Sequence, residues 1–215
     1  MKQFVVIGCG RFGQSVAIKL AELGSEVMVV DDKEDVIQNI ANKVTYAVQA
    51  DATDENAIKA LGIRNFDVAI VTIGSDIQSS ILVTLLVKEL GVKHIVAKAQ
   101  NPAHAKVLYK IGANRVVFPE KEMGVKIAKS LVSSNVLDLI DLAPEYSILE
   151  IKMNDEWVGK TLVEINMRRR YQISVIAIRR DDHVDINVEP DRVLLKDDIL
   201  IVIGNNADLK KIEKN

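Results

Sequence analysis

The chain has 215 residues, enough for one large domain or two small ones. Apolar residues make up 48% of it and the formal net charge is -2, so nothing in the bulk points to nucleic acid or to a disordered charged tail. No apolar run approaches the roughly 20 residues needed to span a bilayer, and a single cysteine, Cys9, excludes an internal disulfide. The N-terminus runs straight into a strand pattern without a signal-like segment. A soluble, cytoplasmic chain that is not itself membrane-inserted is the expectation.

Short β-branched runs alternate with amphipathic segments up to about residue 120. Strands fit QFVVIG, EVMVVD, TYAVQA, DVAIVTIG, HIVAKA and RVVFPE. Helices fit FGQSVAIKLAELG, KEDVIQNIANK, DENAIKALG, DIQSSILVTLLVKELG and PAHAKVLYKIGA, several closed by glycine. Continuous apolar strands between helices predict an α/β fold, a Rossmann-like doubly wound parallel sheet covered on both faces. Its ligand belongs at the carboxyl ends of the strands.

The first strand leads into GCGRFGQS. Gly8 suits the tight turn, Gly10 lets backbone approach a phosphate, and Gly13 lets the helix sit close to the sheet. The helix that opens with Phe12, after Arg11 in the loop, aims free N–H groups at the anion. Asp31, about twenty residues on at the end of the second strand, fits the hydroxyls of an adenosine ribose. With Asp32 beside it, a 2′-phosphate would be repelled, which disfavours NADP. Cys9 reads as a small side chain filling a crowded turn, with a thiol activated by the helix N-terminus as the alternative.

Asp51, Ala52 and Thr53 end the third strand, where the adenine ring lies in this fold; Thr53 followed by Asp54 and Glu55 also reads as a helix cap. Ile73 and Gly74 follow the fourth strand, beside the ribose and phosphates. Arg11 can reach past the first phosphates to a terminal one, which a nicotinamide ring would not require. Lys98, ending the fifth strand, faces either the ligand or solvent. Glu120, after the sixth strand, makes sense beside a polyphosphate if a divalent cation, magnesium or calcium, bridges the two; a helix-capping acid is the equal alternative.

Residues 121–142 read as crossover and linker helices. In EKEMGVKIAKSLVSSNVLDLIDL the apolar positions Met123, Ile127 and Leu131, then Val136, Leu137 and Ile140, form stripes that a second copy of the chain would cover. Residues 143–215 form a smaller α+β unit with strands at YSILEIKM, YQISVIAIRR, ILIVIG and, more weakly, HVDINV, and helices at TLVEINMR and ADLKKIEKN. At roughly 70 residues its own core is marginal.

Three histidines, His94, His104 and His183, form no His–Asp pattern, and neither a Ser–Tyr–Lys arrangement nor a metal-ligand cluster is visible. A sensor is therefore favoured over the alternative, an NAD-dependent oxidoreductase of a small substrate. A repressor that reads NADH ranks last, for want of a helix-turn-helix or basic segment.

GCGRFGQSVA, VDDKED, ADATDE, LGIRNFDVAIVTIG, VAKAQNPAHAKVLYKIGANRVVFPEKEMGVKIA and NVLDLIDL closely resemble the bacterial RCK/KTN proteins, the cytosolic regulatory subunits of Ktr- and Trk-type potassium uptake systems. The resemblance implies a nucleotide-binding domain over 1–120 and a C-terminal ligand-binding and dimerisation domain over 143–215. It implies homodimers that assemble into an octameric ring beneath a membrane-embedded potassium-translocating subunit, without chemical turnover. ATP and ADP, and in some members NAD(H), compete for the glycine-loop site. Arg11 then matches the arginine that reaches the terminal phosphate, and Glu120 the acid associated with a cation.

In many members the C-terminal domain binds cyclic di-AMP. Arg168 matches the phosphate-contacting arginine, His183 and Pro190 fall where the ligand is touched, and Ile165 and Ile173 would line the base pockets. The family commonly has glycine at 172 and asparagine at 174, where this chain has Gln172 and Ser174.

Overall fold

The computed structural model describes residues 2–74, 76–132 and 136–213. The chain divides into two compact units, Met1–Lys121 and Glu122–Asn215.

The first unit alternates strand and helix: β1 (Gln3–Ile7), α1 (Arg11–Glu22), β2 (Glu26–Asp31), α2 (Glu34–Ile40), β3 (Tyr46–Gln49), α3 (Glu55–Ala60), β4 (Val68–Val71), α4 (Ile77–Glu89), β5 (His94–Lys98), α5 (Pro102–Lys110) and β6 (Arg115–Val117). The six strands are parallel, in the order β3-β2-β1-β4-β5-β6. Both faces are covered, which explains the unbroken apolar runs. In β1, Val5 and Ile7 belong to the core on one face and Val6 to the core on the other. Strand order reverses between β1 and β4, and there the loops after the two strands splay apart and leave a crevice.

Helix α6 (Pro119–Val132) follows. Its Met123, Ile127 and Leu131 are exposed, as the stripe pattern requires. The expected helical stretch does not continue. Val136–Ala143 form a strand, β7, paired antiparallel with β8 (Tyr146–Lys152), with Leu139 opposite Leu149 and Ile140 opposite Ile148. Periodicity cannot separate helix from strand in so short an apolar run. The turn at Pro144 and Glu145 decides it, because it sends the chain back alongside itself. Residues 133–135 of that stretch lie outside the described residues.

The second unit continues with α7 (Leu162–Ile165), α8 (Met167–Tyr171), β9 (Ile173–Arg180), β10 (His183–Asp185), β11 (Ile199–Asn205) and α9 (Asn206–Glu213). Its sheet is antiparallel, in the order β10-β9-β11-β8-β7. The core centres on Leu149, Ile151, Trp157, Ile178, Leu200 and Val202. Trp157 meets Tyr171 edge-on at 5.8 Å between ring centroids, and the Arg170 guanidinium lies 5.6 Å above the Tyr171 ring.

TLVEINMR was expected as one helix and forms parts of two. Thr161 and Glu164 make a reciprocal capping box at the start of α7. Asn166 then takes a left-handed conformation, φ +54°, which ends that helix and begins α8. Gln172 ends α8 at φ +58°. A side chain with a Cβ is strained there and glycine is not. Gln172→Gly should stabilise the second unit by about 0.5–1 kcal/mol, the strain relieved exceeding the entropy lost. The urea midpoint read from fluorescence of Trp157, the single tryptophan, should rise.

Candidate functional site

The crevice at the β1–β4 switch point is a groove of about 460 Å³. Gly8, Cys9 and Gly10 form its floor, Asp31, Asp32 and Lys33 one wall, Asp51, Ala52 and Thr53 a second, and Ile73, Gly74, Asp76 and Ser79 a third. These come from the ends of β1, β2, β3 and β4, brought together by parallel pairing.

The glycines have separable roles. Gly8 sits at φ +87°, with Ile73 against it. Gly13 carries α1 onto the strand: a Cβ there would lie 2.6 Å from Thr72 Oγ1 and closer still to the Gly8 carbonyl oxygen. The Thr72 hydroxyl donates to that same carbonyl, tying β4 to the loop. Gly10 faces open space, with nothing within 4 Å of an added Cβ. It is the N-cap of α1, whose start has neither a side-chain cap nor an acidic residue in its first turn. The free N–H groups and positive dipole end of a 12-residue helix therefore open where a Cβ is missing, which is the cradle a phosphate fits.

Asp31 braces the loop. Its Oδ2 accepts the Cys9 N–H at 2.5 Å and its Oδ1 the Lys33 N–H at 3.0 Å. Each carboxylate oxygen keeps a further lone pair for a ribose hydroxyl. Asp51 Oδ1 accepts both the backbone N–H of Thr53, at 2.8 Å, and its hydroxyl, at 2.7 Å. Those bonds hold the Asp51 carboxyl below its usual range. The cap of α3 is Asp54, which accepts from Asn56 and Ala57, so Thr53 is left to the groove wall. Cys9 is buried, and burial, with the Asp31 carboxylate adding to it, pushes its thiol up to about 11. It fills the turn as a neutral group.

Arg11 and Phe12 begin α1 outside the groove lining; Arg11 is exposed, and among the described residues no ion-pair partner holds its guanidinium. Lys98 and Glu120 also lie outside the lining and pair with each other, Nζ to Oε1, at 2.5 Å. The Lys98 hydrogen bond is the main reason that the Glu120 carboxyl is held below its usual range. Glu120 stands in the first turn of α6, and its charge is answered by Lys98 within the same chain.

Sequence reasoning missed Asp76, Ser79 and Lys33. Asp76 caps α4 by accepting from Gln78 N–H and the Ser79 hydroxyl, and these bonds lower its carboxyl pKa. The S-D-x-x-S spacing after β4 was the available signal.

In the second unit Arg168 Nη2 stands 3.4 Å from Ser174 Oγ. Pro190 is exposed, its carbonyl accepting the Val163 N–H at 3.1 Å, and His183 is exposed on β10, opposite Arg180. The two isoleucines expected to line base pockets do not: Ile165 and Ile173 are each 1% exposed, sunk in the core beneath α9 and β11. Their apolar side chains gain more from the interior than from a wet surface pocket.

The TrkA-N domain family matches residues 4–119 and the TrkA-C domain family residues 146–215. The chain is 47% identical over 213 residues to Ktr system potassium uptake protein C of Bacillus subtilis, covering 99% of this chain and 96% of that protein. It is 45% identical over 212 residues to Ktr system potassium uptake protein A of the same organism, again covering 99% and 96%. Among solved structures, the GsuK RCK domain superposes with a TM-score of 0.68 at 20% identity, over 99% of this chain and 47% of that one, so the chain spans about half its length. Two domain families in this order, with near-complete coverage of relatives at almost half identity, mean that the chain belongs to the Ktr/Trk-type potassium-uptake family, a TrkA-N domain followed by a TrkA-C domain.

Proposed function

We propose that the chain is a regulatory subunit of a membrane potassium transporter, which binds an adenine nucleotide in the groove and transforms no substrate. The observation that carries this reading is the uncapped N-terminus of α1 at Gly10, with Arg11 exposed on its first turn. Asp31 supplies acceptors for the ribose and Asp51 a wall for the base. Among the acids of the groove, Asp31 and Asp51 brace its loops and Asp76 caps α4. ATP and ADP are the preferred ligands, with NAD(H) a weaker fit because only a terminal phosphate uses Arg11.

A divalent cation would find its hard oxygen donor at Glu120. Cyclic di-AMP in the second unit rests on Arg168, Ser174, His183 and Pro190. The exposed stripe on α6 supports subunit pairing, and likeness to Ktr potassium uptake proteins supports a membrane partner. On this reading the chain is a cytoplasmic subunit held at the membrane by that partner; no helix among the described residues is long and apolar enough to cross a membrane.

Calorimetric titration with ATP, ADP, NADH and NADPH tests the nucleotide reading. Stoichiometric binding without turnover is expected. Arg11→Ala should weaken ATP by about 10- to 100-fold, the equivalent of a charge-assisted contact of about 1.5–3 kcal/mol, and leave NADH nearly unchanged. Equal losses for both would mean that Arg11 only supports the loop, and consumption of NADH with a small substrate would favour an oxidoreductase.

A further inference from the structure

Lys98 closes β5, and its ammonium rests on the rim of the groove: a Cβ at Gly74, which lines the groove, would fall 3.1 Å from Lys98 Nζ. Two residues on, the Gln100 side-chain amide donates to the Gly74 carbonyl. The end of β5 thus brings an ammonium and an amide to one rim residue. The ammonium is already claimed by Glu120, and the two partners sit in unlike settings. Lys98 keeps 14% of its side-chain exposure and Glu120 keeps 71%.

One ammonium cannot serve two anions at full strength. An ion pair with one partner in water shifts an equilibrium by at most about five-fold. Phosphate oxygens gathered at a helix N-terminus carry more charge and form stronger charge-assisted bonds. The lysine stem is flexible and its charge compact, so it changes partners without moving the backbone.

We infer that Lys98 is a shared counter-ion, held by Glu120 while the groove is empty and taken by the phosphates of a bound nucleotide, which releases the Glu120 carboxylate at the start of α6. The inference rests on the nucleotide reading given above. It makes Glu120 a competitor for Lys98, beyond its simple repulsion of phosphate. It also makes groove occupancy the event that frees a carboxylate for a divalent cation. That carboxylate stays in the first turn of a helix, where a negative charge is favourable.

The test is a double-mutant cycle on the full chain, with ATP as titrant and EDTA present to remove divalent cations. Lys98→Met keeps the apolar stem and should weaken ATP about ten-fold. Glu120→Gln should tighten ATP two- to five-fold, since the competitor is gone. In the Lys98→Met background, Glu120→Gln should have no effect. Lys98→Arg, which keeps the charge, should restore the gain from Glu120→Gln and covers the case in which the methionine variant fails to fold. If Glu120→Gln tightens ATP equally with and without Lys98, the acid acts by repulsion alone and the shared counter-ion is wrong; it is equally wrong if Glu120→Gln changes nothing. A wild-type chain that binds no ATP, ADP or NADH at millimolar concentration overturns this inference and the nucleotide reading together.

Discussion

Gly13→Ala should abolish nucleotide binding and destabilise the first unit, whereas Gly10→Ala should abolish binding alone. At Gly13 the added methyl meets the Gly8 carbonyl oxygen and Thr72 Oγ1, both held by the hydrogen bond between them. Neither is the far end of a flexible side chain, so α1 must move off the sheet. Overpacking of this kind costs about 1–3 kcal/mol. The glycine loop is a continuation of α1 and is displaced with it. At Gly10 the methyl meets no protein atom and φ is -66°, which alanine adopts freely. Stability should stay within about 1 kcal/mol of wild type, the difference between two cap residues. The same methyl occupies the space through which a phosphate reaches the α1 N–H groups. Thermal melting followed by circular dichroism, with ATP titrations of both variants, checks the pair. Equal stability of the two variants would show that helix and strand are not in close contact at Gly13.

Asp198→Ala should unfold the second unit first and leave the groove able to bind. The Asp198 side chain is fully buried, while Arg180 keeps 39% of its exposure. Arg180 reaches it with two bonds, Nε at 2.7 Å and Nη2 at 3.0 Å, and the Leu195 N–H adds a third at 2.8 Å. Burial by itself would raise the Asp198 carboxyl; the Arg180 and Leu195 bonds, with the Arg180 and Arg192 charges, outweigh it and hold the group below the ordinary value. Removing the carboxylate leaves the Leu195 N–H unsatisfied and cuts the tie between β9 and the turn before β11. A loss of about 2–3 kcal/mol is expected, below the range for a fully buried pair because Arg180 can turn to water.

The pH dependence follows from the direction of that shift. A carboxyl with a depressed folded pKa contributes stability that is present above its unfolded pKa. That contribution is lost as pH falls through the folded value. The second unit of the wild-type chain should therefore weaken on acidification below the ordinary carboxylate range, and the Asp198→Ala variant should lack this component. Trp157 lies in the core of this unit, so its fluorescence in urea at a series of pH values reads the second unit selectively. Parallel pH profiles for wild type and variant would sink the assignment.

The first unit was legible because its signals are local and agree. Apolar runs closed by glycine define strands and helices, and G-x-G-x-x-G with an acid at the end of the next strand specifies which strand ends must meet. Every strand expected there formed. The second unit was harder. Its other strands are legible, yet NVLDLIDL reads as helix and forms strand β7, because a sequence window does not show which segment will pair with it. Ile165 and Ile173 were assigned to a ligand surface by position in the chain, but the side of the backbone on which they lie depends on packing against β11 and α9.

The sequence by itself determined the doubly wound fold, the glycine loop and the residue types around the groove, since these depend on backbone conformations and periodicities that only certain residues allow. Tertiary structure alone decided who holds whom. Asp31 is a brace for Cys9 as well as a ligand candidate, Asp54 and not Thr53 caps α3, and Lys98 and Glu120 spend their charges on each other. Such pairings are settled by distances of a few ångströms between residues about twenty positions apart, as with Cys9 and Asp31 or Lys98 and Glu120. A one-dimensional pattern carries no information about which of several nearby charges a side chain will reach, because that choice is made by the geometry of the sheet that brings the strand ends together.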